Sequence, residues 1–227
     1  GRQIMTSIKM MRSIALVATI ANVAGTRILS RAPPLLSRRA AISTFALLGS
    51  QQSAYAEGEP QLSLYKDAEF GDSFLVPSGW AESENELSGG RKLVAFADPA
   101  DSNSNVFVLW TPLAADYTSL GSFGNLEYVA TTFLPTCGGD RTACSLSKDG
   151  IEGRLLESSS VRGCYVYDYM IEQVSQPTRH LRTLVTIALE EGRGKRLVTL
   201  TSQSTEAKHP ALSGIFKKVI DSYKATG

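Results

Sequence analysis

Three cysteines, two histidines and a few grouped charges are the residues of this 227-residue chain that could carry chemistry, given suitable neighbours. Cys137 and Cys144 are separated by Gly138-Gly139-Asp140-Arg141-Thr142-Ala143. A flexible loop of that length can close a disulfide in an oxidising compartment, where it would contribute roughly 2–3 kcal/mol. A redox switch is the competing reading. Cys164 is expected as a buried strand residue. The Cys and His spacing fits no common zinc ligand set.

His180 sits near the start of a strand-like run, and Glu190 and Glu191 close the same run. These three are the candidate metal ligands. Ten residues of strand span about 33 Å, so neighbouring strands would have to supply the remaining ligands. The alternative is a histidine in a polar interface. Asp98, Asp101 and Asn103 gather in one acidic loop that lacks the glycine and closing glutamate of an EF-hand. Arg179, Arg182, Arg193, Lys195 and Arg196 cluster around the last hairpins. They read either as a solvated edge that blocks aggregation or as a patch that steers docking to an acidic partner.

No catalytic motif accompanies these groups. The chain has no G-x-S-x-G elbow, no G-x-G-x-x-G, no P-loop and no H-E-x-x-H. Gly192-Arg193-Gly194-Lys195 precedes a strand rather than a helix, so it reads as a hairpin turn. The expectation is a protein that is not an enzyme.

The elements that must position these residues are mostly strands. Asp72–Val76, Lys92–Phe96 and Asn105–Trp110 are short β-rich runs, the last two separated by the polar stretch 98–103. Leu126, Val129, Ala130 and Phe133 share one face of a short helix with Asn125 as N-cap and Pro135 after it. Three longer strands are predicted at Gly163–Val174, Arg179–Glu190 and Arg196–Gln203. Their short connections force antiparallel hairpins. Val185, Ile187 and Leu189 face one way, and Leu184 and Ala188 the other, which calls for cover on both sides of the sheet. A final helix opens at Pro210 and carries the stripe Leu212, Ile215, Phe216, Val219, Ile220 and Tyr223. The predicted class is α+β, an antiparallel β-sheet flanked by helices on both faces.

Charge divides the chain. Residues 1–56 hold seven basic and no acidic residues, whereas 57–227 hold 16 basic and 22 acidic ones, a net charge of −6. That balance excludes a basic nucleic-acid binder. Within 1–56, Lys9 and Arg12 precede the apolar run Ser13–Gly25, a basic acid-free segment follows, and Arg38-Arg39 lead a second apolar run that closes on Ala54-Tyr55-Ala56. Secretory signal, transit region and twin-arginine signal in that order predict a removable leader that delivers the domain 57–227 to the thylakoid lumen of a secondary plastid. Mitochondrial or plain secretory delivery is the alternative.

Short matches in a fixed order run through the domain. Tyr65 is followed by Phe74-Leu75-Val76-Pro77-Ser78-Gly79-Trp80, Phe96-Ala97-Asp98-Pro99, Asn105-Val106 and Thr111-Pro112. Then come Leu120-Gly121-Ser122-Phe123-Gly124, Tyr165-Val166-Tyr167-Asp168-Tyr169, Arg179-His180, Gly192 with Leu197, and Val219-Ile220-Asp221-Ser222-Tyr223. In these the chain resembles the PsbP family, the extrinsic lumenal proteins of photosystem II and their relatives, over most of Tyr65–Tyr223.

The resemblance implies the same sheet-and-helix α-β sandwich and a peripheral place on the lumenal face of the thylakoid membrane. The implied partners are the photosystem II core and its other extrinsic subunits. It further implies support of oxygen evolution by stabilising the site that holds calcium and chloride, with calcium as the ion this chain itself would meet. A photosystem assembly factor or a photosystem I-associated protein is the second reading, and a lumenal enzyme the third. Only Glu57–Leu64 separate the expected cut from Tyr65, shorter than the arm of the plant subunit, which shifts weight to a PsbP-like relative. His209-Pro210 stands where an aromatic residue often leads into the last helix.

Overall fold

The computed structural model describes residues 60–134, 151–190 and 194–226. The strands are β1 (Leu62–Lys66), β2 (Ser73–Pro77), β3 (Ala81–Leu87), β4 (Arg91–Asp98), β5 (Asp101–Leu113), β6 (Ile151–Val161), β7 (Cys164–Gln173), β8 (Arg179–Glu190) and β9 (Gly194–Thr205). A 3-10 turn (Leu120–Phe123) and helix α1 (Leu126–Phe133) follow β5, and α2 (His209–Asp221) follows β9. β3 to β9 form one sheet in the order β3-β4-β5-β9-β8-β7-β6, with β1 and β2 in a separate hairpin. Every pairing is antiparallel.

Side-chain alternation along the strands divides the core into two layers. Leu93, Phe107, Leu109, Tyr167, Leu181 and Leu197 pack beneath α1 and the 3-10 turn, which contribute Val129, Ala130, Leu120 and Phe123. On the other face Val94, Val108, Trp110, Leu184 and Leu200 meet Ile215, Phe216, Val219 and Ile220 of α2, with Phe74 and Val76 of β2. Each such side chain contributes roughly 1.5–3 kcal/mol by leaving water. The molecule is more β-rich than an even sandwich of sheet and helices, because two short helices, a 3-10 turn and a β-hairpin supply the cover seen among the described residues.

The three long strands and both helices lie where the periodicity places them. Asn125 caps α1, its Oδ1 accepting from the Tyr128 amide at 2.8 Å, and α1 stops at Phe133, two residues before Pro135. The polar stretch 98–103 is shorter as a loop than expected. Asp98 already pairs with Asp101, so only Pro99 and Ala100 form the turn. The hairpin between β6 and β7 turns on Arg162 and Gly163, both left-handed with φ of 52° and 76°. That geometry matches a primed two-residue turn, where Asn, Asp or Gly is the usual first residue.

The C-terminal tail is tied to the first hairpin through Asp72, which is fully buried. Its Oδ2 accepts from Trp110 Nε1 at 2.7 Å and from the Tyr223 hydroxyl at 3.0 Å, and Oδ1 accepts from the Thr226 amide at 3.0 Å. Burial, reinforced by this carboxylate, pushes the Tyr223 hydroxyl well above the ordinary tyrosine value. Asp72→Ala orphans the buried Trp110 N–H and the largely buried Tyr223 hydroxyl and releases the Thr226 amide, so urea unfolding should show a loss of about 3 kcal/mol. Asp72→Asn, which keeps an acceptor, should lose clearly less.

Candidate functional site

β7 and β8 pair with Asp168 opposite Arg182 and Met170 opposite His180. Asp168 therefore lies diagonally across from His180 on the face that α2 covers, within reach of a long side chain. β9 leaves the sheet beside β8 and turns at Glu206 into α2, whose first residue is His209. Two strands, a turn and a helix start thus converge on one point.

His180 is the centre of that point. Its Nε2 lies 2.5 Å from Asp168 Oδ1 and its Nδ1 lies 2.6 Å from Glu206 Oε2. With a carboxylate on each ring nitrogen both nitrogens must donate, which is the imidazolium form. Asp168 is also held through Oδ2 by Arg182 Nη1 at 3.0 Å. His209 stacks flat on His180, with ring centroids 3.4 Å apart and planes 4° from parallel. Its Nδ1 is buried without a hydrogen-bond partner.

Burial alone would lower the His180 pKa, but the hydrogen bonds and charges of Asp168 and Glu206 outweigh it and raise the value above that of free imidazole. Burial would raise Asp168, and His180 and Arg182 together bring it below the usual carboxylate range. His209 moves the opposite way from its neighbour. Burial lowers it first, and the positive charge on His180 lowers it further.

Asp168, His180 and His209 each offer one ligand atom within 4.8 Å of the others. A metal bound to imidazole sits in the ring plane about 2 Å from nitrogen. One ion cannot occupy two parallel planes 3.4 Å apart, and both His180 nitrogens already face carboxylates. The arrangement is an ion-paired clamp rather than a metal centre. Calcium, the ion the family resemblance implies, takes six to eight oxygen ligands, and these donors do not fit it. The loop at 98–103 does not fit it either. Asp101 spends Oδ2 on Lys208 and Ser104, both at 2.8 Å, and Oδ1 on Asn103. Burial would raise the Asp101 pKa, but these bonds outweigh it and bring it down to about 2.

The residues nominated from sequence scatter. His180 pairs with Ser204 near one end of β8, and Glu190 pairs with Gly194 at the other, so the strand separates them. Glu191, Arg193, Cys137 and Cys144 lie outside the described residues, as does the leader 1–56. Arg179 and Arg196 are buried, at 4% and 5% exposure. The Arg196 guanidinium lies 4.1 Å over the Phe70 ring. Arg182 is committed to Asp168, and Lys195 Nζ donates to the Ala115 carbonyl at 3.2 Å. Strand alternation sends Arg179 and Arg182 to different sides of the sheet, so these residues do not compose one basic surface. Cys164 is only partly buried at the start of β7.

Sequence reasoning missed Asp168, Glu206 and His209 as partners of His180. The pairing was available from the hairpin itself. A turn centred on Ser175 sets partners whose numbers sum to 350, which brings Asp168 beside His180.

The two histidines give stability opposite pH dependences. His180 is raised, so its contribution is complete below the unfolded value of about 6.5 and is lost as pH rises through its folded value. His209 is lowered, so stability falls as pH drops below about 6.5 towards its own folded value. Urea unfolding should therefore show a maximum near pH 6.5. His209→Phe should flatten the acid limb and leave the alkaline one. His180→Gln should remove the alkaline limb and cost about 2 kcal/mol at neutral pH, because Asp168 and Glu206 lose their shared cation.

A family profile for PsbP matches residues 60–225, the whole of the sheet and both helices. The chain is 28% identical over 187 residues to PsbP domain-containing protein 3, chloroplastic, of Arabidopsis thaliana, covering 81% of this chain and 73% of the relative. It is also similar to the solution structure of cyanobacterial PsbP (CyanoP) from Synechocystis sp. PCC 6803. There the TM-score is 0.55 and the identity 25%, over 78% of this chain and all of that one. With a match this long and a shared fold, the chain belongs to the PsbP family.

Proposed function

We propose that the protein is an extrinsic, lumenal component of photosystem II that supports oxygen evolution by stabilising the ion-holding site of its partner, and that it acts by docking rather than by turnover. The match to PsbP along residues 60–225 carries this reading. The charged groups of the candidate site support it, since each is engaged by a neighbour rather than turned towards a reactant. Delivery to the thylakoid lumen rests on the three-part leader in residues 1–56, and the chloroplastic relative agrees with a plastid. Among the described residues no helix is long and apolar enough to cross a membrane, in keeping with a peripheral protein.

A second reading, an auxiliary factor that meets photosystem subunits only during assembly or that associates with photosystem I, is favoured by one observation. The Arabidopsis thaliana relative is named a PsbP domain-containing protein, a name that ties it to no particular photosystem. Calcium belongs to the partner in this account, because the donors here do not suit it.

Native electrophoresis of gently solubilised thylakoids from the source organism, probed with an antibody to this chain, separates the readings. Co-migration with mature photosystem II, and lower oxygen evolution when a salt wash strips the protein, is the expected result. Migration only with assembly intermediates or with photosystem I would replace the first reading by the second.

A further inference from the structure

The surface between the β6–β7 hairpin and α2 holds a groove of about 910 Å³. Val166 and Leu184 form its floor, and Ile220 lines it from α2. Five charged side chains line it: Glu157, Arg162, Arg182, Lys217 and Asp221. Three are compensated within the groove or behind it, Arg182 by Asp168 at 3.0 Å and Lys217 by Asp221 at 2.5 Å. Glu157 and Arg162 are both exposed, and neither forms an ion pair among the described residues.

These two uncompensated charges lie at opposite ends. Glu157 is opposite Asp168, in the row where Arg182 enters the groove. Val166, level with Ser159 and Leu184, occupies the next row, and Val161 opposite Cys164 the row after it. Arg162 follows directly, at the tip of the hairpin. Four strand residues separate the first row from the last, about 13 Å. The groove is therefore acidic at one end, apolar in the middle and basic at the other. Arg162 holds the basic end from a left-handed turn position that favours Asn, Asp or Gly, so local preference did not select it there.

We propose that this groove binds an extended segment of a partner protein bearing a basic, an apolar and an acidic side chain at successive alternate positions. An extended chain advances about 13 Å in four residues and turns alternate side chains to one face. Its basic residue meets Glu157, its apolar residue covers Val166, Leu184 and Ile220, and its acidic residue meets Arg162. Opposite charges at the two ends favour such a segment over a singly charged amphiphile, which satisfies one end and desolvates the other. The inference deepens the docking reading above and rests on it for the partner's identity. Peptide binding to the purified chain and co-migration in thylakoids can each fail without the other.

The test is a nuclear magnetic resonance titration of the isotope-labelled chain with an end-blocked seven-residue peptide. The peptide carries Lys, Leu and Glu at its second, fourth and sixth positions, with Ser or Ala elsewhere. Shifts confined to the groove-lining parts of β6, β7, β8, α2 and the residues just after α2 are expected. Replacing the peptide's Lys by Glu, or its Leu by Ser, should weaken binding about threefold to tenfold. Glu157→Lys and Arg162→Asn should each do the same, and the second suits the turn, so a lost fold does not confound it. The doubly reversed protein, E157K with R162E, should regain the parent peptide, lying in the opposite chain direction. Shifts elsewhere, no shifts at all, or affinity indifferent to these charges would overturn the proposal.

Discussion

A single cation ties the start of the C-terminal helix to the sheet. His180 on β8 faces a carboxylate on each ring nitrogen, Asp168 from β7 and Glu206 from the turn that leads into α2. Two carboxylates held this close to one site would repel if the ring were neutral. The proton on His180 turns that repulsion into two charge-assisted hydrogen bonds. Arg182 shares Asp168, so the negative charge is divided between two cations and the row remains near neutrality.

What the clamp fixes is where α2 begins. His209, stacked on His180, starts the helix, and Ile215, Phe216, Val219 and Ile220 then meet Leu184, Val198 and Leu200 on the sheet. The far end of α2 is fixed by a different carboxylate, Asp72, which accepts from Trp110, Tyr223 and Thr226. The helix is thus pinned near its start by the ion pairs of His180, near its end by the buried Asp72, and along its length by apolar contact. The groove beside it inherits its width from those anchors. A second buried cation, Lys92, does similar work for the first hairpin. Its Nζ lies 2.8 Å from Asp67 and 3.2 Å from Glu84, joining the loop after β1 to β3 and β4.

Much of this was legible in the sequence where hydrophobic periodicity is strong. The stripe on α2, the Asn125 cap of α1 and the three hairpin-linked strands all follow from local pattern and loop length. The two sheet edges were not. β3 (AESENEL) is exposed at six of its seven residues, so no buried face marks its period. β6 (IEGRLLESSSV) is an edge strand interrupted by a bulge between Leu155 and Glu157, which breaks its alternation. The site failed for a related reason. Looking for ligands along the strand of His180 led to Glu190 and Glu191, whereas contacts in an antiparallel sheet run across strands. Asp168 lies 12 residues before His180 and Glu206 lies 26 after it. The basic residues of the last hairpins looked like a patch because sequence proximity hides alternation, which buries Arg179 and Arg196 and spreads the others.

Family membership gives the domain its fold and a set of relatives, while the clamp gives it a definite electrostatic state, on which the seating of α2 depends. Nitrogen-15 resonances of the imidazole ring of His180, assigned in the purified domain, test it most directly. Both ring nitrogens of His180 are expected to carry protons at pH 7, while the stacked His209 is neutral with one. A neutral His180 with a single N–H at that pH, or one bearing a lone pair that takes up added zinc without displacing either carboxylate, would contradict it.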